Sequence, residues 1–283
     1  MYLILYNPLS KNNKSNISTH KLIKHFKEEN IPFRIKSILK IDDLESYLLG
    51  KEHFTKIILL GGDGTINRFI NDTFNYTLSQ DIYLRKNGSG NDFLRSLMID
   101  DSTPQTIMQA RFNNGRETKF INGSGVGIDG MVIHFIETAK RKGKFRYFKN
   151  TVKALFKYKP VDVKVIIDEK EYEFKKTYLI TMNNGKYFGG GMKISPDANL
   201  GDEFLDILIA HNISKLKILL IFLSIYFGKH TAFKKHVFHT KAKNIKVVFE
   251  TPQLSQCDGE LTYDVTEMTV EPCSKKIHLK YHK

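Results

Sequence analysis

The chain opens on a short apolar run, residues 2–6, closed by Asn7-Pro8, and its next apolar positions, Leu22, Ile23 and Phe26, fall at helical spacing. This alternation recurs. Residues 33–39 read as a strand, 44–49 as a helix, and 56–60 as an unbroken apolar strand running straight into Gly61, with a helix over 66–74 and a strand over 82–84 beyond it. Continuous apolar strands alternating with helices predict a doubly wound parallel sheet with its ligand at the carboxyl ends of the strands.

From about residue 120 the pattern changes. Segments 161–167, 177–182, 204–210, 245–250, 267–271 and 277–281 are strand-like, and only two helical stretches, 131–156 and 213–227, interrupt them. The expected fold class is therefore α/β followed by a mostly β, antiparallel sandwich or barrel. A length of 283 residues suits two domains. They are placed at 1–120 and 121–283, with the terminal strand free to return to the first.

Composition removes several alternatives. An apolar fraction of 41% with 20 Phe and 13 Tyr excludes a disordered chain. Two cysteines, Cys257 and Cys273, are too few for a disulfide framework, and no His or Cys cluster has zinc-like spacing. A reducing, cytoplasmic setting is the expectation. The opening apolar run is too short for a signal peptide, and the longest one, 216–227, is interrupted by Lys217 and Ser224, so no bilayer-spanning helix is expected. The net charge of +14 is uneven: residues 1–120 hold 17 basic and 13 acidic residues, whereas 121–283 hold 27 and 17.

Candidate chemistry lies in the loops. Gly61-Gly62-Asp63-Gly64-Thr65-Ile66-Asn67 joins a buried strand to a helix, where glycines admit a phosphate and the N–H groups of the helix start favour negative charge. Asp63 sits inside this loop, where a carboxylate can hold Mg²⁺ against phosphate oxygens. A second loop, residues 87–93, follows the 82–84 strand, and Asn7-Pro8-Leu9-Ser10 after the first strand makes a third. Three such loops on one sheet argue for a nucleotide. In the far segment, Asp258-Gly259-Glu260 reads either as a hairpin turn with solvated acids or as a base and metal ligand for a phosphoryl acceptor.

The ordered set formed by Asn7-Pro8-x-Ser10, Gly61-Gly62-Asp63-Gly64-Thr65-x-Asn67, residues 88–93, Pro196-Asp197-Ala198 with Asp202, Leu205-Asp206, and Asp258-Gly259-Glu260 resembles the diacylglycerol kinase catalytic family of lipid kinases, which includes sphingosine and ceramide kinases. The resemblance covers essentially the whole chain. It implies a nucleotide domain with an NAD kinase-like and phosphofructokinase-like sheet, a β-rich lipid-substrate domain, and a cleft between them. It also implies ATP over Asn7, Pro8, Leu9, Ser10 and Lys11 and over Gly62, Asp63, Gly64, Thr65, Ile66, Asn67 and Arg68, with Ser89 where the family usually has Thr. Glu260 matches the family's proton acceptor, with Asp63 as runner-up, and Asp63 also matches the acid near the triphosphate and its Mg²⁺. Asp202, with the carbonyls of Asn199 and Phe204, matches a supporting metal site. Lys11, Arg68, Glu203 and Asn87 depart from the family's usual residues.

The implied acceptor is a lipid hydroxyl, most directly that of diacylglycerol, reached by peripheral attachment to an anionic membrane. Lys140, Arg141, Lys142, Lys144, Arg146 and Lys149 are crowded with Phe145, Tyr147 and Phe148, while Lys229, Lys234 and Lys235 follow the apolar 213–227 stretch. Three rival readings are a nucleic-acid binder, a nucleotide or lipid sensor without turnover, and an NAD kinase. No RNP motif, helix-turn-helix or zinc finger supports the first, and the Asp258-Gly259-Glu260 end counts against the last.

Overall fold

The computed structural model describes residues 1–10, 15–87, 91–138 and 146–282. The chain divides into two compact units, residues 1–105 with 276–283, and residues 106–275.

The first unit holds β1 (Tyr2–Tyr6), α1 (Ser15–Glu28), β2 (Phe33–Ser37), α2 (Leu44–Leu48), β3 (Lys56–Gly61), α3 (Asp63–Thr73), β4 (Asp81–Lys86) and α4 (Asp92–Leu97). Its five-stranded sheet runs terminal strand, β4, β3, β1, β2, and every pair is parallel. β1 and β3 are central, which is why Leu3–Leu5 and Ile57–Leu60 are fully buried and read as continuous apolar runs. The terminal strand, Leu279–Tyr281, returns to pair with β4.

The second unit holds β5 (Gln105–Phe112), β6 (Glu117–Phe120), β7 (Gly123–Gly127), α5 (Ile128–Thr138), α6 (Arg146–Lys157), β8 (Val161–Ile167), β9 (Lys170–Asn183), β10 (Leu205–His211), α7 (Lys215–Ile225), β11 (Val237–Ala242), β12 (Ile245–Cys257) and β13 (Glu260–Ile277). The path β11-β10-β9-β7-β12-β13-β5-β6 is closed on itself by β8, which pairs with both β12 and β9. This closure encloses a core that includes Val165, Ile180, Ile207 and Val247. A second cluster seats α5, α6 and α7 on the opposite surface through Val132, Leu155, Ile218 and Ile221.

The boundary falls at residue 105 rather than at the expected 120. β5 and β6 pair with each other and continue from β13, and the Thr106 N–H donates to the Leu200 carbonyl at 2.7 Å, so 106–120 belongs to the second unit. The stretch expected as one helix over 131–156 contributes α5 and α6.

Candidate active site

In the first unit, strand passes into helix within one residue, because β3 ends on Gly61 and α3 begins at Asp63 behind its N-cap, Gly62. A Cβ on Gly61 would stand 2.3 Å from the Thr65 Cβ, so only glycine fits. Asn7 ties the first loop to this turn: its Nδ2 donates to Thr65 Oγ1 at 2.9 Å, its Oδ1 accepts the Leu9 N–H at 3.0 Å, and its own N–H donates to the Leu60 carbonyl. The side chains of Thr65, Ile66 and Asn67 are buried, Asn67 accepting from Asn71, so this turn offers a ligand its backbone. Gly64 stands apart. Its φ is not positive, and a Cβ there would meet nothing within 4 Å, so no described part of the protein demands glycine. A first turn left open at Gly64, at a helix N-terminus, is what close approach of a phosphate requires.

Asp63 is engaged by the backbone of its own unit. Its Oδ2 accepts the Asp92 N–H at 3.0 Å and its Oδ1 the Phe93 N–H at 3.1 Å. It thereby caps α4, whose own N-cap Asn91 supplies no side-chain cap, and ties the start of that helix to the glycine turn. Arg68 is drawn away from the loop, pairing with Asp72 at 3.2 Å and donating to the Ile41 carbonyl at 3.2 Å. Lys11 and Ser89 lie outside the described residues, as do residues 140–145 of the basic cluster.

In the second unit, Asp258 and Gly259 both have positive φ, 48° and 90°, and form the two-residue turn between β12 and β13, with Cys257 opposite Glu260. The hairpin reading of this segment is thus its backbone structure. Asp258 accepts three backbone N–H groups, from Ile121 at 2.7 Å, Asn122 at 3.0 Å and Gly123 at 3.1 Å. Glu260 pairs with Cys257 through the backbone ladder, and its side chain is exposed, with no hydrogen bond or ion pair to a described residue.

The sequence reading missed Asp129, in the first turn of α5. It is buried and accepts from Gln256 Nε2 at 2.6 Å, while Gln256 Oε1 accepts the Gly259 N–H at 2.7 Å, so Asp129 orients the side chain that holds the Glu260 turn. Burial pushes its carboxyl up to about 6, against the lowering effect of the Gln256 bond. Close packing creates the niche: a Cβ on Gly125 would stand 2.1 Å from Asp129 Oδ2, and one on Gly130 would stand 2.3 Å from the Leu254 carbonyl oxygen. The Gly125-x-Gly127-x-Asp129-Gly130 spacing was the available signal.

The metal expectations fare differently at the two places. A magnesium ion carried on a triphosphate keeps most of its waters and needs one or two carboxylates, each oxygen of which can accept more than one bond, so Asp63 fits that ion even while capping α4. The set Asn199, Asp202 and Phe204 does not fit a divalent ion as it stands. Asp202 Oδ1 accepts the Phe204 N–H at 3.1 Å, and the Lys241 ammonium donates to the Asp197 carbonyl at 2.8 Å, standing 3.9 Å from Asp202 Oδ2 and 3.5 Å from Asp206 Oδ2. A cation of the protein's own occupies the place between these acids. Among the described residues no group of three or more His, Cys, Asp or Glu is arranged to hold a metal.

Two family models match the chain: the diacylglycerol kinase catalytic domain over residues 1–122, and the YegS C-terminal NAD kinase beta sandwich-like domain over 124–277. The chain is 25% identical over 241 residues to a diacylglycerol kinase of Mycobacterium tuberculosis, covering 78% of this chain and 75% of that one. It is 27% identical over 222 residues to a diacylglycerol kinase of Bacillus subtilis, covering 73% and 71%. A crystal structure of a diacylglycerol kinase from Bacillus anthracis superposes with a TM-score of 0.67 at 20% identity, over 99% of this chain and 96% of that one, which shows a shared fold. With the glycine turn, the Asp258-Gly259-Glu260 hairpin and both family models in order along one chain, this protein belongs to the diacylglycerol kinase catalytic-domain family, as a lipid kinase with a YegS-type carboxyl-terminal domain.

Proposed function

We propose that this kinase transfers the γ-phosphoryl group of ATP to the free hydroxyl of diacylglycerol, giving phosphatidic acid. The bond from the γ-phosphorus to the bridging oxygen of ADP breaks, a bond from that phosphorus to the lipid oxygen forms, and the hydroxyl proton passes to Glu260. The observation that carries this reading is the state of the acids: Asp63 and Asp258 are engaged by backbone N–H groups, whereas Glu260 keeps its carboxylate exposed.

The open turn at Gly62–Gly64 receives the triphosphate on backbone N–H groups, with Asn7 fixing the loop and Pro8, Leu9, Ser10, Lys11 and Ser89 completing the proposed nucleotide surface, while Arg68, held by Asp72 and the Ile41 carbonyl, stands outside it. Asp63 would be the protein carboxylate for a magnesium ion carried on the triphosphate, which would neutralise phosphate charge. Asp129 positions the Glu260 turn through Gln256. The second unit holds an apolar cavity of about 50 Å³, lined by Ile128, Leu155, Leu208, Ile221, Phe222 and Val237 among others, which is too small for an acyl chain without movement of its walls. A cytoplasmic enzyme attached peripherally to an anionic membrane completes the reading.

The test is incubation with γ-labelled ATP and diacylglycerol, monoacylglycerol, a polyprenol, a sphingoid base or NAD, followed by identification of the labelled product. Label in phosphatidic acid is expected. Label in another lipid would reassign the acceptor, and label in NADP would overturn the lipid reading.

A further inference from the structure

α7 is apolar on two opposite faces. Ile218, Ile221 and Ile225 are buried against the sheet. Leu216, Leu220, Leu223 and Phe227 recur at i, i+4, i+7 and i+11, form one outer stripe, and are 73, 59, 44 and 76% exposed. A helix whose outer face meets only water carries polar residues there, yet from Ile218 to Leu223 α7 has none. Its 11 residues span about 16 Å, far short of a hydrocarbon core of about 30 Å, and no helix among the described residues is long and apolar enough to cross a membrane.

α6 extends the stripe. The Lys215 ammonium donates to the Phe156 carbonyl at 2.7 Å, and the Phe148 ring lies 6.1 Å from that of Phe222. Phe148 and Phe156 are themselves exposed. Around this surface stand exposed lysines, among them Lys149, Lys157, Lys215, Lys217, Lys229 and Lys235, and no acid occurs between residues 138 and 161 or between 207 and 249. Charge selects the occupant. A second copy would set lysines against lysines, and a nucleic acid, which could stack only on the phenylalanines, would leave Leu216, Leu220 and Leu223 uncovered. An anionic bilayer satisfies both parts, taking leucine and phenylalanine below its headgroups and lysine at their level.

We infer that α7, with Phe148 and Phe156, is an in-plane membrane-docking face: its outer stripe inserts into the acyl boundary of an anionic bilayer while the lysine rim binds the headgroups. The purpose of such a face rests on the lipid-kinase reading above, but its test does not use the kinase reaction. The chain contains no tryptophan, so Leu220→Trp gives a single emitter on the stripe and Leu49→Trp a control in the first unit.

With vesicles of phosphatidylcholine containing about a third phosphatidylglycerol, the Leu220→Trp emission should shift to the blue and be quenched by lipid brominated on its acyl chains, while the Leu49→Trp emission stays unchanged. Leu216→Gln with Phe227→Gln should weaken vesicle binding by about tenfold or more, with an unchanged melting temperature because both side chains are exposed. Emission of Leu220→Trp that ignores vesicles, or that shifts with protein concentration in their absence, overturns the inference, the latter in favour of self-association. Insertion without phosphorylation of any lipid would sink the kinase reading alone, and phosphorylation of detergent-dispersed lipid without insertion would sink the docking face alone.

Discussion

The Asp63 turn and the Asp258-Gly259-Glu260 hairpin look alike as sequence, acids embedded in glycine-rich loops, and each turns its aspartate inward, but only the hairpin leaves a second acid, Glu260, exposed. Asp63 and Asp258 each turn both carboxylate oxygens onto backbone N–H groups of a neighbouring loop, at 2.7–3.1 Å. Glu260, two residues beyond Asp258, has no such engagement. Charge-assisted bonds of this kind hold loops in place. A carboxylate so occupied is a fastener first, and the one the turn leaves exposed, Glu260, is the one to which we assign the proposed proton transfer.

That contrast can be broken by substitution, and the largest stability loss is expected at the fastener with three bonds. Asp258→Ala leaves the N–H groups of Ile121, Asn122 and Gly123 without their acceptor and should cost about 3–5 kcal/mol, read as a lowered urea midpoint. A loss under about 1 kcal/mol would mean that the turn holds without it. The second effect has the opposite sign. Asp129 is held above its ordinary value of 3.8 at about 6, so the native state binds a proton that the unfolded state has lost. Native stability therefore falls as pH rises between those values, by about 3 kcal/mol in all. Asp129→Asn should remove that fall, so its stability advantage over the native chain grows from pH 4 to pH 7, and a pH-independent difference would contradict the buried carboxylate.

Smaller effects sharpen the comparison. Asp63→Asn keeps one acceptor and should lose about 1–2 kcal/mol together with on the order of a hundredfold in transfer rate, since it loosens the start of α4 from the glycine turn proposed to receive the triphosphate. A folded variant with normal turnover would remove Asp63 from the site. Lys241→Met should cost about 1 kcal/mol and, by opening the place between Asp202 and Asp206, make the melting temperature of the ATP-free protein rise with Mg²⁺, a response expected to be absent with Lys241 in place. A wild-type response equal to that of the variant would restore the metal to Asn199, Asp202 and Phe204.

The first sheet was legible because its central strands are buried on both faces and advertise themselves as apolar runs. β7 was not, since Gly123-Ser124-Gly125-Val126-Gly127 shows no hydrophobic pattern; its glycines are required by the crowding of Asn183 and Asp129 against the strand. β9 and β13 run past their expected ends because residues such as Lys170, Glu171 and Glu173 face solvent on strands that packing extends. The glycine turn and Glu260 could be found from spacing, whereas the roles of Asp129 and Lys241 depend on long-range partners. Lys241 faces Asp206 only through the antiparallel register of β10 and β11, a pairing 35 residues apart in the chain and invisible to local pattern.

The most direct test of the central claim is transfer from γ-labelled ATP to diacylglycerol by Glu260→Gln, with ATP affinity and melting temperature measured on the same protein. The exposed glutamate predicts a rate lower by about 10²–10⁴-fold with ATP binding and stability unchanged. Turnover at the native rate, or a loss of rate that follows a collapse of ATP affinity, would contradict the assignment of Glu260 as the proton acceptor.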